Sequence, residues 1–184
     1  YEDVTNIDSV GIVTARAGIN MSGGQFLVGT GVTIGVAGIA TFRKGKIDVG
    51  DSLFNTSVGQ DASMALSTGN SNVAVGYRAS KAISTGVQNV SLGKEALYTA
   101  STHNNNVAIG NAALYTAESH GSVAVGSNAL RLNTTGSGNV AVGYEGLEAN
   151  TTGSNNTTLG YQSLYSNTTA SYNTAAGYQA LYAN

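Results

Sequence analysis

The chain has 184 residues, a net charge of −2 and no cysteine, proline or tryptophan. This charge excludes a polycationic nucleic-acid-binding surface and an acidic tail, and the lack of cysteine excludes a disulfide framework and a thiolate metal site. Only 10% of the residues are charged, against roughly 25% in ordinary soluble domains. Low charge with abundant Gly, Asn, Ser and Thr favours an extracellular fibre, and no apolar run approaches the roughly 20 residues of a membrane span.

Residues 1–54 form the first predicted segment, a β-rich block with its own internal repeat. The stretch 11–19 aligns with the stretch 38–46, which places Arg16 on Arg43. Short apolar runs between glycine turns predict about five or six strands and no helix. Because strands this short bury little within one chain, we expect a three-chain triple β-helix or β-prism. The alternative is a small single-chain sheet, and either would cap the segment that follows.

Residues 55–184 repeat a five-residue phrase, Asn-Val-Ala-Val-Gly, which is clearest at 139–143. The phrase recurs with a 17-residue period, except for one spacing that is shorter by a single position. We call its glycines the glycine ladder: Gly59, Gly76, Gly93, Gly110, Gly126, Gly143, Gly160 and Gly177. A fixed period of this length indicates a stacked array of identical units.

Each unit is predicted to be one coil of a parallel β-solenoid. The alternation in Val140-Ala141-Val142 predicts a strand with one buried face, and the glycine after it predicts a turn. A leucine that follows the glycine at the fourth position, such as Leu147, predicts a second short strand. The frequent Gly, Asn, Ser and Thr exclude a helix. The segment is therefore predicted to be all-β, with about eight coils stacked at about 4.8 Å.

The strand is also predicted to have a defined inner and outer face. We expect the flanking Val, Ile or Leu and the later leucine to fill the coil. The small residues at the strand centre are then expected to point outward: Ala74, Ala108, Ala124, Ala141 and Ala175. We interpret them as a smooth strip that packs against another copy of the chain; steric tolerance within the sheet is the alternative.

Two further changes along the array predict details of its turns. At the seventh position after the ladder glycine, an apolar column (Leu66, Ile83, Ala100, Ala117) gives way to Asn133, Asn150, Asn167 and Asn184. We expect these amides to bond from coil to coil and to stabilise the turn. The coil between Gly110 and Gly126 is the short one, and we expect it to lose one turn residue without a change of strand register.

The repeated phrase resembles two known groups of proteins. Asn-Val-Ala-Val-Gly is similar to the head repeats of trimeric autotransporter adhesins, which are left-handed parallel β-rolls packed three to a trimer. The longer form at 177–184, Gly-Tyr-Gln-Ala-Leu-Tyr-Ala-Asn, is more like the repeat arrays of bacteriophage tail fibres. The resemblance covers residues 55–184 and implies a homotrimeric fibre. It specifies an architecture rather than a ligand.

Recurring polar and aromatic residues are the candidates for binding. Tyrosines follow the ladder glycine (Tyr77, Tyr144, Tyr161, Tyr178) or the leucine (Tyr98, Tyr115, Tyr165, Tyr182). We interpret both sets as half-buried structural ladders, and the second set is the candidate for contacts with glycans. Adjacent Ser and Thr pairs beside the turn glycines do not match the flat alternating Thr face that ice binding requires. His103 and His120 are predicted at equivalent positions, as solvated turn residues rather than a metal site.

The sequence predicts no enzyme, because it shows no acid–base pair, no nucleophile beside a base and no phosphate-binding loop. No catalytic, cofactor or metal residue is assigned. We expect a segment of a longer homotrimeric fibre, most like a phage tail fibre or other virion appendage used in host-cell attachment. The expected partners are further copies of the chain, other fibre or virion proteins, and a host receptor or glycan, with no nucleic acid. The alternative is the head of a bacterial surface adhesin that binds host matrix or glycan directly.

Overall fold

The computed structural model describes residues 53–183 of the chain. The predicted N-terminal β-rich segment therefore lies outside the described residues, apart from Leu53 and Phe54, and so does Asn184.

Eight short parallel strands form one sheet, in which each strand pairs with the next along the chain. They are β1 (Thr56–Val58), β2 (Val73–Val75), β3 (Val90–Leu92), β4 (Val107–Ile109), β5 (Val123–Val125), β6 (Val140–Val142), β7 (Thr157–Leu159) and β8 (Thr174–Ala176). Between consecutive strands the chain makes one full turn and returns beside its starting point. The predicted parallel β-solenoid with a 17-residue period is confirmed for this part of the chain.

The shortened coil between β4 and β5 keeps the strand register, as predicted. Val107 pairs with Val123 and Ala108 pairs with Ala124, so the partners are one position closer along the chain than in the other strand pairs. Because the missing residue lies in a turn, the two strands still place the same positions of the phrase side by side.

The glycine ladder ends each strand and forms a continuous column along the array. Its members have φ between +126° and +141°, a region that side chains strongly disfavour. Space is equally restrictive: a Cβ atom on Gly143 would lie 2.2 Å from the carbonyl oxygen of Gly160 in the next coil. Only glycine meets both requirements, which explains why this position does not vary along the array.

The predicted second strand of each coil is wrong. The leucine segment is a run of turns, and Leu97, Leu114 and Leu130 have φ between 49° and 52°. Their N–H groups still donate to the next coil, for example from Leu97 to the Ala113 oxygen at 2.9 Å. In this conformation two consecutive residues, such as Ala113 and Leu114, both face inward and are fully buried. A strand would have placed them on opposite faces.

The predicted faces of the first strand are also wrong. The central residue is buried in β2 to β8, with Ala74, Ala108, Ala124 and Ala141 at 0% exposure, while the flanking residues are half-buried or exposed. The inverted alternation follows from the polar residue before each strand, which points inward and is asparagine except for Ser122 before β5. Leucines later in the coil, such as Leu114 and Leu147, are also buried, and the strand centre is Ala, Ser or Thr in every described strand. The predicted outward strip of alanines does not exist.

Candidate functional surface

Pairs of apolar side chains cover the outer face of the sheet from β2 to β6. We call them the outer apolar strip: Val73, Val75, Val90, Leu92, Val107, Ile109, Val123, Val125, Val140 and Val142. Val73 is 37% exposed and Leu92 is 46% exposed, and the others are half-buried. Because large contiguous apolar patches mark interaction sites, the strip is a candidate contact surface.

A column of asparagines, buried along most of its length, orients the strip from inside the coil. We call it the strand-start Asn ladder: Asn55, Asn72, Asn89, Asn106, Asn139, Asn156 and Asn173. Asn72 donates from Nδ2 to the Gly86 oxygen at 2.8 Å, and its Oδ1 accepts from the backbone N–H of Asn89 at 3.0 Å. From Asn55 to Asn156, each such amide therefore closes a turn and joins two coils. Its recurrence directly before the strand was the signal from which the correct faces could have been predicted.

The column at the seventh position after the ladder glycine behaves as predicted. Ile83, Ala100 and Ala117 are fully buried. Further along, Asn150 donates to Asn133 Oδ1 at 2.7 Å and Asn167 donates to Asn150 Oδ1 at 2.9 Å. Each amide also bonds to a turn carbonyl of its own coil, as Asn133 does to Gly136. These amides connect the coils and the turns, although Asn167 Oδ1 has no hydrogen-bond partner within residues 53–183, and we interpret their role as structural.

The candidate glycan-contacting tyrosines form two stacked pairs. The ring centroids of Tyr98 and Tyr115 lie 4.9 Å apart and those of Tyr165 and Tyr182 lie 5.0 Å apart, each pair with 4° between the ring planes. Each ring therefore covers one face of its partner. Sugars stack on the open face of a ring, so the faces inside each pair are not accessible to a glycan.

The coil position that holds these four tyrosines is the fifth after the ladder glycine, and we call it the outer column. In other coils it holds charged residues, which differ between the two pairs. The Lys81 ammonium lies 5.9 Å from the centroid of the Tyr98 ring. A hydrogen bond to the Glu148 carboxylate, with the negative charge of that group, raises the pKa of Tyr165 to about 12. Glu148 also lies 3.7 Å from Arg131. Two pairs with the same ring geometry thus have opposite charges beside them.

The other set of tyrosines forms a second stack toward the end of the array. Tyr144, Tyr161 and Tyr178 have successive centroid distances of 5.1 and 5.4 Å. Beside them, Gln162 donates to the Glu145 carboxylate at 2.7 Å, and this bond is the main reason why the pKa of Glu145 is lowered. The predicted ladder is therefore present from Tyr144 to Tyr178, whereas Tyr77 contacts the Arg78 guanidinium, which lies 4.7 Å from its ring centroid.

The serine and threonine pairs use part of their hydroxyl groups within the protein. Thr134 Oγ1 donates to the Thr151 oxygen at 2.8 Å, and Thr151 Oγ1 donates to the Thr168 oxygen at 2.9 Å. Ser67 and Ser84 make the same bond to the next coil. These hydroxyl groups stabilise the stacking of the turns.

The two histidines are neighbours, but the prediction that they occupy equivalent positions is wrong. Asn89 donates to the His103 oxygen, and the matching bond from Asn106 goes to Ser119, so the missing residue of the short coil precedes Ser119. His120 Nδ1 accepts from the N–H of Asn104 at 3.1 Å. The two ring centroids lie 4.9 Å apart. Burial and the nearby His120 lower the pKa of His103, whose Nδ1 has no hydrogen-bond partner within residues 53–183.

A shallow concavity of about 300 Å³ lies near the start of the described region, lined by Met64, Ala65, Lys81, Ala82 and Tyr98. This volume is at the lower end of the range for small-molecule sites. Residues 53–183 contain no cluster of three or more histidines and acidic residues that could hold a metal ion. No helix long and apolar enough to cross a membrane occurs in the same part of the chain.

No protein-family model, curated protein or solved structure matches this chain. The class of protein is therefore the one that its own fold defines, a parallel β-solenoid with ladders of stacked side chains.

Proposed function

We propose that this chain is a structural segment of a homotrimeric fibre, most like a phage tail fibre or another virion appendage that takes part in host-cell attachment. The observation that carries the proposal is the outer apolar strip, an apolar sheet face that has no partner among residues 53–183. Trimerisation through this strip would leave the tyrosine pairs and the turns facing outward. The number three and the virion or extracellular location come from the resemblance of the repeats to tail fibres and adhesin heads.

A second copy of the same chain is the partner that fits the strip best. Its side chains recur once per coil, at a spacing of about 4.8 Å along the array. Another copy in parallel orientation presents the same side chains at the same spacing, so that Val123 and Val125 would meet their own counterparts. Such matching places apolar groups against apolar groups in every strand from β2 to β6 and buries no charge.

The function that follows is mechanical. Stacked coils joined by backbone and asparagine bonds make a rigid element, and three of them side by side would make a stalk. A stalk of identical chains also carries three copies of any weak receptor site, so attachment would depend on avidity rather than on one strong site.

The mass of the full chain in solution tests the proposal. Light scattering with size-exclusion chromatography is expected to give three times the 18.6 kDa of one chain. Val125→Glu places three carboxylates near one another at the proposed interface, and we expect it to release monomers. Thr135→Glu, at an exposed turn position, is the matched control and is expected to leave the trimer intact. A monomeric wild-type chain, or equal effects of the two substitutions, would overturn the proposed interface.

A further inference from the structure

The two nearly parallel tyrosine pairs of the outer column are the basis of a further inference. Half-exposed tyrosines are common on protein surfaces, but these rings are held face to face by the repeat itself. Tyr98 and Tyr115 occupy the same position in successive coils, as do Tyr165 and Tyr182. With 4° between the planes, equivalent carbon atoms of the two rings lie about one centroid distance apart. Rotation about the side-chain bonds can bring two ortho carbons into contact.

We propose that Tyr98–Tyr115 and Tyr165–Tyr182 are sites of oxidative dityrosine formation, which joins successive coils by a carbon–carbon bond. The co-reactant is a one-electron oxidant, such as a peroxidase with hydrogen peroxide. This inference concerns the single chain and does not depend on the proposed fibre function.

The reaction balances with two one-electron oxidations. Each phenol loses one electron to the oxidant and one proton to a base, and becomes a neutral phenoxyl radical. The two radicals combine between their ortho carbons, and the hydrogen on each of these carbons then moves to the phenolic oxygen, restoring both aromatic rings. The product is a biphenol that has lost two hydrogen atoms in total. Because the two rings are already stacked face to face, the effective concentration of one ring near the other far exceeds that of separate molecules.

The surroundings of the pairs predict which one reacts first. The Glu148 carboxylate beside the Tyr165 hydroxyl can accept the phenolic proton when the electron leaves. The Lys81 ammonium beside the Tyr98 ring opposes removal of an electron from that ring. Coupling of Tyr165 with Tyr182 is therefore expected to precede coupling of Tyr98 with Tyr115.

A dityrosine bond would supply a covalent connection that the composition otherwise lacks, since the chain has no cysteine. Each bond would close a loop of about the length that a stabilising disulfide closes. By that comparison we expect one link to raise Tm by about 6–12 °C.

The experiment treats the dilute full-length chain with peroxidase and hydrogen peroxide and maps the products by protease digestion and mass spectrometry. We expect cross-linked peptides with the loss of two hydrogen atoms at Tyr165–Tyr182, and more slowly at Tyr98–Tyr115. Tyr182→Phe keeps the stacked ring but cannot form the phenoxyl radical, and is expected to abolish the first product. Glu148→Gln is expected to slow that product several-fold and to leave Tyr98–Tyr115 unchanged.

Tyr172 is the control for simple accessibility, because it is 81% exposed and is absent from the stacked pairs. If cross-links form mainly at Tyr172 and between molecules, exposure rather than stacking directs the reaction and the inference is wrong. Equal yields from native and urea-unfolded chain would refute it as well, since unfolding separates the rings. Intramolecular links at the two pairs that are lost on unfolding support it.

Discussion

Replacement of Gly143 by alanine tests the stacking of the coils most directly. The new Cβ would lie 2.2 Å from the oxygen and 2.6 Å from the carbonyl carbon of Gly160. These are backbone atoms, so relief requires the two coils to move apart. The movement weakens the bond from the Gly160 N–H to the Val142 oxygen, which is 2.8 Å long. The bond from the Val140 N–H to the Asn156 oxygen joins the same two coils and is weakened too.

The expected cost combines two contributions. Holding a side chain in a region reserved for glycine costs about 1–3 kcal/mol, and two weakened hydrogen bonds cost about 0.5–1.5 kcal/mol each. Gly143→Ala is therefore expected to lower the free energy of unfolding by about 2–6 kcal/mol. Urea denaturation followed by circular dichroism measures the change, at constant protein concentration because self-association shifts the midpoint.

Two other glycines provide matched controls. Gly121 has φ +65° with no atom within 4 Å of an added Cβ, so its change to alanine is expected to cost only about 1–2 kcal/mol. At Gly146 the nearest atoms to an added Cβ are 3.7 Å away, and Ala129 occupies the equivalent position. Gly146→Ala is expected to stabilise the chain by about 0.4–1 kcal/mol. If all three changes have the same effect, the steric argument for the ladder fails.

Three further changes test the interior and the turns. Ala141→Leu is expected to destabilise the chain by about 1–3 kcal/mol, because the equivalent buried positions hold at most a threonine and leucine overfills the coil; a neutral result in urea denaturation would contradict the inward orientation of Ala141. Asn139→Ala removes the 2.7 Å bond to the Gly153 oxygen and the acceptor for the Asn156 N–H. We expect a loss of about 2–4 kcal/mol in the same assay, and a loss below that range would show that water replaces the amide. The lowered pKa of His103 means that the folded state binds its proton less readily than the unfolded state. Stability from this group is complete above the ordinary pKa of 6.5 and decreases as pH falls through the folded pKa. His103→Ala is expected to reduce the loss of Tm below pH 6.5, and an unchanged pH profile would exclude this role.

The period of the array could be predicted because each repeat has the same neighbours. Position 143 contacts position 160 through the same atoms that position 126 presents to position 143, so one steric rule selects glycine at every turn. The turn asparagines were predictable for the same reason, since an amide that bonds to an identical amide must recur. These features depend only on spacing along the chain.

The faces of the strand were mispredicted because hydrophobicity was given more weight than hydrogen bonding. Val140 and Val142 are the most apolar residues of their phrase, yet Asn139 is the residue that must be inside. Asn139 pairs with the buried Gly153 oxygen and the Asn156 N–H. Leaving these backbone groups unpaired would cost more than a half-exposed valine gains by burial. The turn conformation of Leu147 was missed because left-handed leucines are rare, and no residue type signals them.

The contrast between the outer apolar strip and the outer column explains why the strip carries the proposed assembly. In the outer column the residue type varies from Lys81 to Tyr98 and later to Glu148, while the coil stays the same. The fold therefore imposes no single side chain at an outward position. Strand propensity alone would also permit threonine in the outer apolar strip. The equivalent positions in β7 and β8 do hold threonine, at Thr157 and Thr174. Yet from β2 to β6 every outward strand residue is Val, Leu or Ile. An outward position that stays apolar over five successive strands without a need inside its own coil supports the proposal that the strip contacts another copy of the chain with the same period.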